Sequence, residues 1–249
     1  MHERTLNISV LFATEYEFAL LCLRCSILPG MSHWLTGLLS INRTTQTGGA
    51  SLGTFKQVCG LLCEVMTRLL SAEEMSRLVD TKDVSALFRE VALFYVECAV
   101  QDDESLVRIG NSCLRHLVVN CGQHFRTLCP SGELWEVAAS ALCLIVRCSL
   151  TAVQRLIQND RAGEQQERQQ FRLQHLSMQI FNQPVAESLS PMCSCNIFVA
   201  LLSYQLAINT IANIVCYNNS ILTGYNIDQF KIQSLIKFFF LTFLGMKRL

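Results

Sequence analysis

The chain has 249 residues, with Lys plus Arg and Asp plus Glu both at 20, so its formal net charge is zero. Charged residues make up 16% and hydrophobic ones 51%, against about 25% charged in an ordinary soluble domain. Such a chain is too apolar to be disordered and long enough to bury a sizeable core. Zero net charge, with no basic stripe, argues against a nucleic-acid partner, because phosphate neutralisation needs a cationic surface.

In chain order, the first apolar run covers 6–28 and is expected to stop at Pro29-Gly30. Glu15, Glu17 and Arg24 interrupt it, and no small-residue cleavage site follows, so it does not read as a signal peptide. A loop is expected from Asn42 to Gly53. A helix then runs over 55–71, where Val58, Leu61, Leu62, Val65 and Leu69 share one apolar face. The next helix opens at Lys82-Asp83-Val84 and places Leu87, Val91, Phe94 and Cys98 together. After the polar turn Gln101 to Glu104, a third helix is predicted over 104–120. Its face is Leu106, Ile109, Cys113, Leu117 and Cys121, with Asp103 as its cap and Gly122 placed to end it. A fourth, over 133–158, has Leu134, Val137, Ala138, Ala141, Leu142 and Ile145 as its stripe.

None of these helices can bury its stripe alone. The expected fold is therefore all-α, with HEAT/armadillo-like stacked helical hairpins, the pairs being 55–100 and 104–158. In the second pair Asp103 precedes Arg108, small Gly110, Cys113-Leu114 and Leu117. That order supplies a cap, a charge near the turn, room for close helix contact and an apolar stripe. An ordinary helical bundle is the other packing open to the same helices. The domain division is 1–54 (N-terminal helix and linker), 55–182 (helical repeats) and 183–249 (an apolar C-terminal segment).

Residues 159–170 form a charged, Gln-rich break, and 171–181 read as a short amphipathic helix ended by Pro184 and Pro191. From Cys195 to Ile227 there is no charged residue. The 21-residue run 197–217 has the length of a membrane span. Ser203, Gln205, Asn209, Thr210 and Asn213 weaken it, and a buried helix is the alternative. Phe238 to Leu241 is too short to span.

The chemical candidates are sparse. The 13 cysteines are odd in number and sit mostly in apolar helical runs, unlike a secreted disulfide framework. They read as small packing hydrophobes in a reducing compartment; the sequons at Asn7, Asn42 and Asn218 are then chance matches. Cys22 and Cys25 have C-x-x-C spacing, but their nearest counterpart, Cys193 with Cys195, is distant and irregular for zinc. His2, His33, His116, His124 and His175 are scattered. Cys113 and His116 could form a nucleophile pair, though no orienting third group is evident. Gly48 to Gly53 lacks the Gly-Lys-Ser/Thr of a phosphate loop, and Asp102-Asp103-Glu104 lacks the calcium-loop pattern. No cofactor and no metal is expected.

One stretch carries a family resemblance. Phe94-Tyr95-Val96-Glu97-Cys98, Ser105 to Val118 with its Arg108-Ile109-Gly110 turn and Cys113-Leu114 pair, Gly122-Gln123-His124-Phe125, and Leu134-Trp135-Glu136 form the set. It resembles the helical-repeat region downstream of the Sec7 domain in the large brefeldin-A-inhibited guanine nucleotide exchange proteins. Ile109 stands where leucine is usual there, and 137–157 is also similar. The resemblance implies protein partners bound through the repeat surface, in Arf-linked vesicle traffic on cytosolic faces of Golgi or secretory-granule membranes. Arf GTPase itself enters only by way of the family. The family's Sec7 domain carries a glutamate finger in a Pro-Gly-Glu loop. Here Leu28-Pro29-Gly30-Met31 has methionine in that place, and a Sec7 domain of about 200 residues does not fit beside the repeats. No catalytic residue is carried over, and no exchange activity is expected of this chain.

Overall fold

A computed structural model of the protein describes residues 15–42, 49–72, 79–157 and 197–217. Every regular element among the described residues is helical. The chain is therefore all-α, and its helices pack as a helical repeat. The break at 159–170, the predicted helix 171–181, Pro184, Pro191, Cys193, Cys195, His2, His175 and the 238–241 run lie outside the described residues.

Helix α1 covers 15–42, with a π-helical turn at Leu23–Ile27 leading into Leu28–Asn42. The expected stop at Pro29-Gly30 does not occur. Proline lacks an N–H and its ring crowds the preceding turn. The widened turn, closed by the Leu28 N–H on the Leu23 carbonyl, carries the chain past it. Arg24, in that turn, donates to Glu90 at 3.1 Å and lies 3.6 Å from Asp83, which ties α1 to the third helix.

Helix α2 is Gly49–Ser71, so part of the expected loop is helical. Helix α3 is Thr81–Ala99, capped by the Asp80 side chain, which accepts from the Lys82 N–H at 3.0 Å. Helix α4 is Glu104–Leu128, α5 is Glu133–Ile157 and α6 is Ile197–Tyr217. Residues 197–211 group with α1–α5 as one compact unit, and Ala212–Leu249 form a second.

The helices of the first unit alternate between two layers. α1, α3 and α5 lie side by side in one; α2 and α4 lie side by side in the other. The hairpins are therefore α1–α2 and α3–α4, one helix out of phase with the expected pairing. α2 meets α3 through side chains, while its close backbone neighbour is α4. α6 touches the C-terminal parts of α3 and α5 and Asn111 of α4. Each hairpin buries its stripe only against the next, as stacked repeats must.

Two aromatic threads stitch the layers. Trp34 of α1 meets Phe55 of α2 edge-on at 5.4 Å, and Phe55 meets Phe94 of α3 at 6.2 Å. Phe88 of α3 meets Phe125 of α4 at 5.0 Å, and Phe125 meets Trp135 of α5 at 5.1 Å. Edge-to-face pairs of this kind add about 0.5–1.5 kcal/mol each beyond area burial. α3 takes part in both threads, and residues 91–100 are buried without a gap.

α2 corrects a second expectation. Its core face is Phe55, Cys59, Leu62, Cys63, Met66 and Leu70. Of the expected stripe only Leu62 is fully buried; Leu61 is 60% and Val65 44% exposed. The helix carries two apolar faces, and the array uses the other one.

Candidate functional site

The singled-out residues converge where α3, α4 and α5 meet. Asp103 caps α4: its carboxylate accepts from the Leu106 N–H at 3.0 Å, satisfying one orphan donor of the first turn. Arg108 pairs with Glu104 one turn earlier at 2.7 Å, and both are exposed. Such a surface pair contributes little to stability.

Gly110 and Gly122 are packing residues of different kinds. A Cβ on Gly110 would lie 2.5 Å from the Ala99 nitrogen and 2.6 Å from the Tyr95 carbonyl oxygen. The α3 backbone is thus pressed directly onto α4 there. Gly122 does not end α4, which continues six residues further to Leu128. It is buried mid-helix, because a Cβ there would fall 2.8 Å from the Trp135 ring. Leu114, Leu117 and Phe125 are buried along the same helix, and Trp135 is 6% exposed. The turn before α5 closes on Gly132, whose φ of 84° is the left-handed region open to glycine.

Cys113 belongs to a buried group of thiols between α2, α3 and α4. Its Sγ donates to the Cys59 carbonyl at 3.8 Å, and Cys63 Sγ donates to the Cys113 carbonyl at 3.5 Å. Tyr95 donates its hydroxyl to the same Cys59 carbonyl at 3.0 Å. The contact with Cys113, then burial, pushes the Cys63 thiol far up, burial pushes Cys98 well up, and burial also raises Cys121. Burial raises Cys143 to about 11 despite nearby Arg147. These thiols stay protonated near neutral pH, which is poor nucleophile chemistry.

Cys113 and His116 do not form a catalytic pair. Cys113 faces α2, whereas His116 is exposed and contacts the Asn120 amide at 3.0 Å. Among the described residues, no three His, Cys, Asp or Glu side chains converge in a metal-holding group. Of the singled-out set, all but exposed Arg108 and half-buried Asp103 lie in the interior of the array.

Two buried polar features stand apart from that set. Ser203 of α6 donates to the Ala99 carbonyl at 2.6 Å, and the Asn111 amide reaches Ser203 at 3.5 Å and the Val107 carbonyl at 3.0 Å. These bonds bolt α6 onto the α3–α4 turn. The sequence signal was present: a polar side chain within each apolar stripe.

The other is Glu97, 8% exposed on α3. Burial pushes its carboxyl up from 4.5 to about 7. Between these values the folded chain holds a proton that the unfolded chain has released, so stability falls as pH rises through this window. The loss reaches about 3 kcal/mol above the folded value. Glu97→Gln should remove most of that slope and melt higher than the parent at pH 8. Thermal melts at pH 5 and pH 8 check it; an unchanged pH slope in the variant would show that Glu97 is not its source.

Three helical stretches are long and apolar enough to cross a membrane by length and composition: Glu15–Leu39, Glu133–Val153 and Ile197–Ile214. Two-thirds of the second, 67%, is buried inside the protein, against 28% for each of the others.

No family model matches the chain, and no solved structure matches it. Among curated proteins it is similar to the brefeldin A-inhibited guanine nucleotide-exchange protein 3 of mouse (Mus musculus) and of human (Homo sapiens). Each match is 26% identical over 116 residues, 47% of this chain and 5% of the relative. The chain thus matches one short region of a far longer protein.

Proposed function

We propose that this chain is a non-catalytic helical-repeat scaffold of the kind built into large Arf guanine nucleotide exchange factors. It binds protein partners through the outer faces of its stacked hairpins, in vesicle-mediated transport at cytosolic Golgi or secretory-granule membranes. The observation that carries this reading is the 116-residue similarity to a short region of an exchange protein. Asp103, Gly110, Cys113, Gly122 and Trp135 act by holding α3, α4 and α5 in register. They leave the surface, rather than a pocket, to do the recognition. The working unit is the array of α1 to α5, which takes in α1 as well as the helices from residue 55 onward, and the narrower kinship is with the divergent third member of the family, of which the chain is a fragment or truncated isoform.

Two measurements test this. Purified chain added to Arf loaded with a fluorescent guanine nucleotide should leave the release rate at the spontaneous value; clear acceleration would refute the non-catalytic reading. Tagged chain should co-fractionate with Golgi or granule membranes and come off in alkaline carbonate. Retention in the carbonate pellet, lost on deleting 190–249, would instead favour a membrane-anchored protein spanning at Ile197–Tyr217. The 28% burial of that apolar window favours the second reading. Against it stand Ser203, which bonds to Ala99 of α3, and Ala207 and Thr210, both buried.

A further inference from the structure

The C-x-x-C pair of α1 is the motif that the packing of the array leaves unused. Among the described residues, seven of the other cysteines are buried and Cys143 is half-buried. Cys25 is exposed and Cys22 half-buried, at the π-helical turn Leu23–Ile27. The backbone at Cys22 is helical, with φ −60° and ψ −43°. Residues three apart on helical backbone have α-carbons about 5–6 Å apart, and a disulfide spans about 4.4–6.8 Å. The pair is thus close enough to be bridged within its own turn. Among the described residues no third Cys, His, Asp or Glu side chain completes a metal-holding group, so the chemistry open here is that of two thiols. The Arg24 guanidinium, held above its ordinary pKa chiefly by its bond to Glu90, also lies within electrostatic reach of the Cys25 sulfur. A fixed cation therefore stands beside the more open thiol.

We propose that Cys22 and Cys25 form a reversible redox site, a dithiol that exchanges with small disulfides of the glutathione class. Exposed Cys25 is the thiol that such a reagent meets first. Its thiolate attacks one sulfur of the small disulfide: the new bond forms at the Cys25 sulfur, the small S–S bond breaks, and one small thiolate leaves. The Cys22 thiolate then attacks the Cys25 sulfur, closing the Cys22–Cys25 bond and expelling the second small thiolate. The two protons lost by the cysteines end on the two small thiols. The protein pair is oxidised by two electrons and the small disulfide is reduced by the same two. Excess reduced thiol drives the sequence backwards and restores the dithiol. The bond spans Arg24, whose ion pairs with Glu90 and Asp83 tie α1 to α3. The buried thiols of α2, α3 and α4 do not compete, because exchange needs access to the sulfur.

Peptide mapping of the full chain tests it. The reduced, folded chain is equilibrated with mixtures of oxidised and reduced glutathione, quenched in acid, blocked with N-ethylmaleimide in denaturant and cut with trypsin. Cleavage after Arg24 separates the two cysteines: Thr5–Arg24 contains Cys22 alone and Cys25–Arg43 contains Cys25 alone. Their disulfide is a linked peptide pair of unique mass that splits on reduction, whatever happens at the other cysteines. This pair is expected to be the main oxidised form of both peptides, growing as the share of oxidised glutathione rises and reversing as it falls. Cys22→Ser should stop at the mixed disulfide of Cys25 with glutathione, and Cys25→Ser should abolish the linked pair. Neither position is buried, so circular dichroism and melting of both variants should match the parent. The proposal is overturned if the parent accumulates only the mixed disulfide, or if Cys22 or Cys25 links chiefly to another cysteine. It is also overturned if neither peptide is oxidised until denaturant has unfolded the chain.

Discussion

Gly110→Ala should be the most damaging one-methyl change in the protein. On a helix surface, replacing glycine with alanine gains up to about 1 kcal/mol, because glycine gives up more backbone entropy. Here the new methyl would meet the Ala99 nitrogen at 2.5 Å, the Tyr95 carbonyl at 2.6 Å and Cys98 Cβ at 2.9 Å. The two nearest atoms belong to the α3 backbone and cannot rotate away. α3 and α4 must separate, and they do so next to Asn111 and the Ser203–Ala99 bond that hold α6. Overpacking of this kind costs about 1–3 kcal/mol and more where nothing yields, so the clash outweighs the propensity gain. A net loss near 3 kcal/mol should lower the melting midpoint by roughly 6–12 °C for a chain of this size. A midpoint within a degree or two of the parent would mean that the close approach at Gly110 does not govern the α3–α4 packing. Gly110→Ser should behave like alanine or worse.

How far the fold was legible can be judged from α2 and α4. α4 has one apolar stripe and a charged opposite face, so spacing alone identifies the side that Leu106, Cys113, Leu117 and Cys121 bury. α2 has two apolar faces at the same period. Nothing local distinguishes the row of Val58, Leu61, Val65 and Leu69 from that of Phe55, Cys59, Leu62 and Met66. The choice is made by Phe94, Tyr95 and Cys113 on other helices. The hairpin phase escapes for a similar reason. Either pairing uses the same helices and turns, and only the side-by-side contact of α2 with α4 reveals the layers. The cap at Asp103 was readable because capping is a contact within one turn. The candidate site was legible as a set of residues, but not in its role. Spacing brings Gly110, Cys113 and Trp135 together without saying that they face inward. Glu97 sits in an apolar run with no visible partner, and its burial depends on elements far along the chain.

Trp135→Ala should cost about 3–5 kcal/mol, the range for emptying a buried aromatic site. The indole is 6% exposed, lies on Gly122 and meets Phe125 edge-on, and through Phe125 it reaches Phe88. Removing it cuts the second aromatic thread and leaves a void beside a glycine that has no side chain to fill it. Among the described residues its buried Nε1 meets no hydrogen-bond partner, so packing against Gly122 and Phe125 is its main hold and Trp135→Phe should recover most of the loss. Gly122→Ala separates the two halves of this contact. Its methyl would strike the ring at 2.8 and 2.9 Å. A side chain can shift where a backbone cannot, so the cost should be smaller than at Gly110 and partly offset by the helix-propensity gain of about 1 kcal/mol. In the Trp135→Ala background the same Gly122→Ala change should become stabilising, because the ring it would strike is gone. A double-mutant cycle by chemical denaturation reads this directly. A coupling near zero would show that Gly122 is not glycine on account of Trp135; a coupling of about 1–3 kcal/mol, with the sign reversed between the two backgrounds, is the outcome the packing requires.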